Sequence, residues 1–122
     1  MIVGQTMFSV LKGTEHRAEA ALQELAAAVS AAPGHSGHRI LRSFGMSPLA
    51  SALHEEGREA ELGDVHFIFE TQWDSLEAHD QFYSGDTVRL VYSTLQSILA
   101  SGPFEVLYDG LVEEPEHQNV AL

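Results

Sequence analysis

The chain predicts an α+β domain: four antiparallel strands with helices laid across one face, in the order β-α-β-β-α-β. Three observations predict it. Residues 65–73 and 104–111 alternate apolar and polar side chains with period two, the mark of a strand with two unlike faces. Residues 18–29 instead repeat apolar groups at helical spacing. Glycine and proline pairs punctuate the ends of these runs, at Pro33-Gly34 and Gly102-Pro103.

The elements follow in order. Ile2 to Leu11 is rich in apolar and β-branched residues and reads as the first strand, stopped by Lys12-Gly13. Thr14 is placed to cap a helix whose first turn carries Glu15, where a carboxylate suits the helix dipole. Ala18, Ala21, Leu22, Leu25, Ala26 and Val29 form its apolar face, and Ala32-Pro33-Gly34 ends it. His38 to Gly45 is expected to be strand two, with His38, Ile40, Arg42 and Phe44 on one side. Met46 to Asp64 is a long connection for so small a domain, either a lid or a tolerated surface loop, with a short helical turn possible at residues 49–53. Val65 to Trp73 is the clearest strand. Val65, Phe67, Phe69, Thr71 and Trp73 share one face; His66, Ile68, Glu70 and Gln72 share the other. Asp74 with Glu77 has the spacing of a capping box before a short helix over 75–83. A second helical piece starts at Asp86, buries Val88, Val91, Leu95, Ile98 and Leu99, and ends at Gly102-Pro103. Phe104 to Leu111 is strand four, with Phe104, Val106 and Tyr108 opposed to Glu105, Leu107 and Asp109.

This is the split βαβ order of ferredoxin-like domains. Residues 1–112 are expected to form the single domain and 113–122 an acidic tail. With both helical segments on one side, the other sheet face would be left open and apolar, which a monomer seldom tolerates. A homodimer is therefore expected.

Composition excludes several classes of function. The 122 residues are 44% hydrophobic and 20% charged, enough for one core and unlike a disordered chain. Six Lys and Arg against eighteen Asp and Glu give a net charge of −12, a poor surface for nucleic acid or anionic lipid. No apolar run is long enough to span a membrane, and the N-terminus lacks the features of a signal peptide. There is no cysteine, hence no disulfide, thiolate catalysis or cysteine metal site, in keeping with a cytoplasmic location.

Three segments carry a family likeness: Pro33-Gly34-His35, Glu70-Thr71-Gln72-Trp73-Asp74-Ser75-Leu76-Glu77-Ala78-His79, and Gly102-Pro103-Phe104-Glu105-Val106-Leu107-Tyr108. In this order and spacing the chain resembles the antibiotic biosynthesis monooxygenase family over Val3 to Leu111. The resemblance implies a dimeric α/β barrel, in which two ferredoxin-like protomers pack sheet to sheet. His79 lies so soon after Trp73 that the likeness leans toward a stress-responsive or fungal-type branch. Two departures stand out. Anthrone oxygenases of the family carry an Asn four residues before the Trp, where this chain has Phe69. Heme-degrading relatives use a strand-one Asn and a downstream His; strand one here has no Asn, and Tyr92 or a neighbour stands at the His position.

The candidate catalytic residues are His79, His66 and Trp73, with Phe67, Phe69, Trp73, Tyr83 and Tyr92 as candidate substrate-binding groups; Tyr108 is a further polar aromatic. Histidine is the natural proton carrier near neutral pH. Trp73 can be a core anchor, a wall for a flat aromatic substrate, or both. His79 can be a general base, or a helix residue bonded to Asp80. Glu70, if inward-facing, must be paired or protonated. The one conceivable metal cluster is His35, His38, His66 and Glu70, but no established ligand spacing supports it, and no bound metal or cofactor is expected. The family likeness implies a small cofactor-independent monooxygenase acting on an aromatic, polyketide-like phenol such as an anthrone or quinol. A base removes a proton and the resulting anion reacts with oxygen directly. A non-catalytic dimeric ligand-binding module and a cyclase or isomerase remain alternatives, because all three need the same apolar cleft.

Overall fold

A computed structural model describes residues 1–49 and 63–112. Most of the long connection, with its expected helical turn, and the acidic tail therefore lie outside the described residues. The strands are β1 (Ile2–Val10), β2 (His35–Arg42), β3 (Val65–Trp73) and β4 (Leu99–Asp109), with helices α1 (Glu15–Ser30), α2 (Leu76–Tyr83) and α3 (Asp86–Ser93). They form one antiparallel sheet in the order β2-β3-β1-β4, the ferredoxin-like arrangement.

Strand parity decides what each sheet face carries. On β1, Thr6, Phe8 and Val10 are buried beneath the helices, opposite Phe69, Phe67 and Val65 of β3. The helix-covered core is Phe8, Val10, Phe67, Phe69 and Trp73 from the sheet, closed by Ala18, Leu22, Leu25 and Val29 of α1 and Val91 and Tyr92 of α3. Among the described residues, nothing covers the other face. There Leu41, Phe104, Val106 and Tyr108 are exposed, around a buried Glu70 that accepts two hydrogen bonds from Arg39 (2.8 and 3.2 Å) and one from Gln5 (2.8 Å). Among the described residues, no helix is long and apolar enough to cross a membrane.

The structure corrects four local expectations. Strand two begins three residues earlier, at His35, and stops at Arg42, so Phe44 stands clear of the sheet. Thr14 precedes α1 without capping it, because its hydroxyl turns back to donate to the Leu11 carbonyl (2.6 Å). Ser75 rather than Asp74 caps α2, accepting from the Ala78 N–H at 3.1 Å. Helix α3 ends at Ser93, and β4 starts at Leu99, so Gly102-Pro103 lies inside a strand instead of ending a helix. The reason is a bulge: the register of β4 slips between Met7 and Val10, and a Cβ at Gly102 (φ +77°) would sit 2.5 Å from the Met7 carbonyl oxygen. Apolar groups at helical spacing in 88–99 are buried in a turn and a strand as well as they would be in a helix.

Candidate active site

The site forms where β3 ends and α2 begins. Strand parity buries Trp73 completely, and its indole N–H donates to the Thr71 hydroxyl (2.8 Å). The chain then turns over at Asp74, whose N–H donates to the Gly34 carbonyl (2.8 Å). Gly34 (φ +82°) is needed there, since a Cβ would stand 2.5 Å from that of Ala78. The Ser75 cap then starts a helix that directs His79 inward. His79 meets Trp73 edge-on (ring centroids 6.0 Å, 88°) and stacks on Tyr83 one turn later (4.5 Å, 19°). Phe82 closes the cluster against Trp73 at 5.6 Å.

Both ring nitrogens of His79 are engaged. Nδ1 bonds the Asp80 carboxylate at 2.9 Å, and Nε2 bonds Glu105 Oε1 at 2.8 Å. A neutral imidazole has one N–H, so it cannot donate to two carboxylates.

Glu105 reaches this position from β4 because Gly4, its diagonal neighbour on β1, has no side chain in the way. An added Cβ at Gly4 would collide with Glu105 Oε2. The carboxylate lies on the helix-covered side, opposite Thr6. Its Oε2 is buried without a hydrogen-bond partner among the described residues, as are Thr6 Oγ1 and the hydroxyls of Tyr83 and Tyr92. The Tyr83 hydroxyl stands near Thr6, Thr71 and Glu105 without a well-formed bond to any of them. Burial pushes Glu105 above the usual carboxylate range, against the opposing pull of the His79 hydrogen bond and charge. Burial, reinforced by the Glu105 charge, pushes Tyr83 up to about 12. Tyr92 is raised as well, by burial and by Tyr83. Native proteins seldom leave several buried polar atoms unpartnered, so such a cluster calls for a functional account.

Of the expected site residues, Trp73, His79 and Tyr83 come together, Tyr92 stands close to Tyr83, and Phe69 adjoins them through its partner Thr6. Phe67 does not join them. Six residues from Trp73 along the strand, it stacks on Phe8 (5.5 Å) in the core. His66 is exposed on the opposite face, beside Met7, Ile68 and Phe104. The His35, His38, His66 and Glu70 cluster does not assemble. His35 and His38 bond each other at 3.1 Å, whereas His66 and Glu70 belong to the other face and Glu70 is bound to Arg39. Among the described residues, no three potential ligands converge on a metal position. Sequence reasoning missed Glu105, Thr6 and Thr71. The available signal was a carboxylate in mid-strand on the inner parity of strand four, which Glu105 shares with Leu107 and Asp109.

A sequence profile of the family described as "Antibiotic biosynthesis monooxygenase" matches residues 1–91. No curated protein matches the chain significantly. Solved structures share its fold at low identity. A Nitrosomonas europaea protein assigned as an antibiotic biosynthesis monooxygenase is 15% identical, with 92% of this chain and 100% of that one covered and a TM-score of 0.67. SnoaB, a cofactor-independent oxygenase from Streptomyces nogalater, is 15% identical, with coverage of 94% and 98% and a TM-score of 0.62. The Arabidopsis thaliana protein At3g17210 is 14% identical, with coverage of 94% and 100% and a TM-score of 0.65.

Proposed function

The chain belongs to the antibiotic biosynthesis monooxygenase family, and on that premise we propose that it is a cofactor-independent monooxygenase of an aromatic, polyketide-like phenol of the anthrone or quinol type. One observation carries the reading. A buried His79, bonded on both nitrogens, sits between Trp73 and Tyr83 with unpartnered hydroxyls and a carboxylate oxygen close by. Aromatic walls suit a flat substrate, and the polar atoms suit its hydroxyl or carbonyl groups. Removing one proton from an activated carbon leaves an anion electron-rich enough to reduce dioxygen, so the substrate supplies the electrons. For a methylene the reaction balances when one substrate and one dioxygen give one ketone and one water: one oxygen atom replaces both methylene hydrogens, and the other leaves with them. The protein has to orient the substrate, accept the proton and exclude water.

The open sheet face belongs to the same proposal. We infer that a second copy covers it, since Leu41, Phe104, Val106 and Tyr108 form an apolar patch around a satisfied ion pair. Stable interfaces commonly bury on the order of 1,600 Å² or more.

Oxygen uptake with 1,8-dihydroxyanthrone tests the activity. Uptake above the spontaneous rate, lowered at least tenfold in His79→Ala, is expected. Trp73→Phe should raise KM more than it lowers kcat, because it keeps most of the wall. Binding of the anthrone without uptake would replace the oxygenase with a ligand-binding module.

A further inference from the structure

We propose that Glu105, through Oε2, is the group that takes the proton from the substrate, and that His79 is its positioning partner rather than the base. This rests on the oxygenase reading for the kind of substrate, and it assigns the atom. The geometry sets aside three other titratable groups. His79 has no nitrogen free to receive a proton, since Nδ1 is bonded to Asp80 and Nε2 to Glu105. His66 lies on the other sheet face. Glu70 has its carboxylate filled by Arg39 and Gln5.

Glu105 differs from all three. One oxygen is anchored, and the other is buried and, among the described residues, unpartnered. Gly4 supplies the room that Oε2 occupies. Around the carboxylate stand Thr6 of β1, His79, Asp80 and Tyr83 of α2, and Tyr92 of α3. Thr6, Tyr83 and Tyr92 offer hydroxyls that can bond the oxygen of a phenol or carbonyl while Oε2 meets the adjacent acidic hydrogen. Burial raises the basicity of Glu105, which suits it to this task.

The step is a proton transfer. The substrate C–H bond breaks, its electron pair stays on carbon as a resonance-stabilised anion, and an O–H bond forms at Oε2. His79 keeps the carboxylate in place and, by sharing the proton of the Nε2–Oε1 bond, sets its charge.

The test separates proton abstraction from oxygen chemistry. Under argon in deuterium oxide, wild-type protein should catalyse exchange of the methylene hydrogens of 1,8-dihydroxyanthrone above the solution rate, whether or not oxygen is later consumed. Glu105→Gln, close to isosteric, should lose that exchange by at least a hundredfold while binding the anthrone within about threefold. Glu105→Asp keeps a base but draws it back, and should recover part of the exchange. His79→Gln should retain measurable exchange with a shifted pH profile. Circular dichroism melts check that each variant is folded. Full exchange in Glu105→Gln, or none in the wild type, overturns the proposal; loss in His79→Gln with retention in Glu105→Gln overturns it in favour of histidine. Wild-type exchange without oxygen uptake would leave Glu105 as the base and remove the oxygenase reading instead.

Discussion

Among the described residues, each face of the sheet withdraws a carboxylate from solvent, Glu70 almost fully and Glu105 in part, and the two are treated in opposite ways. Glu70, on the open face, receives three hydrogen bonds, two from the Arg39 guanidinium. Burial pushes its pKa up, but Arg39 and Gln5 outweigh burial and hold it below the usual range. Glu105, on the covered face, receives one bond from a histidine, keeps a bare oxygen, and is held above the usual range by burial. The first arrangement is complete as it stands. The second leaves a buried polar atom without a partner among the described residues, which costs stability.

Four experiments break or sharpen this contrast. The largest effect is expected on the open face, where a charge is incompatible with close packing of a second copy. Val106→Glu should convert a species of twice the 13.3 kDa chain mass into monomer, read by sedimentation velocity; a wild type that sediments as monomer would remove the dimer from the picture. Next, Glu70→Ala leaves Arg39 and Gln5 without their acceptor and should cost about 2–3 kcal/mol in urea unfolding, in the range for hydrogen bonds to charged groups. Gly4→Ala should cost about 1–3 kcal/mol by overpacking, and it should also reduce anthrone exchange, because the added methyl displaces Oε2. A silent Gly4→Ala would mean that the carboxylate has somewhere else to go.

The smallest effect is the most diagnostic, since it has opposite signs on the two faces. A carboxylate depressed in the folded state stabilises the fold above its unfolded pKa, and that contribution is lost as pH falls through the folded value. Wild type should therefore lose its advantage over Glu70→Gln as pH drops below about 4, near the free carboxylate value. A raised carboxylate holds its proton more tightly when folded, so stability declines as pH climbs from the unfolded value through the folded one. Glu105→Gln should thus gain on wild type above about pH 4.5. Thermal melts from pH 3 to 8 read both trends, and trends of the same sign would refute the contrast.

The parities of β3 and β4 were legible in the sequence because alternation is imposed by the strand itself, and they assigned Trp73 and Phe69 to one face and His66 to the other. The position of His79 was legible only in part: a helix follows the strand at once, but the sequence does not say how that helix folds back onto the sheet. What could not be read was distance across the sheet. Glu105 lies 26 residues from His79, and only the pairing of β4 with β1 brings it there. The ends of elements were obscured for another reason. Ser75 and Asp74 are both good caps, and neither sequence nor spacing says which backbone turn wins. In 88–99 a helix and a turn followed by a strand bury the same apolar groups, so periodicity could not locate the end of α3.

Trp73 is the only tryptophan in the chain, and its neighbours are His35, His79, Phe82 and Tyr83. Excited at its red edge, where tyrosine does not absorb, the protein therefore emits from one address. Indole emission is sensitive to nearby charge and to flat absorbing molecules, and no second fluorophore dilutes the signal. An indole within the proposed site would thus report directly on a molecule that binds there, with no label attached.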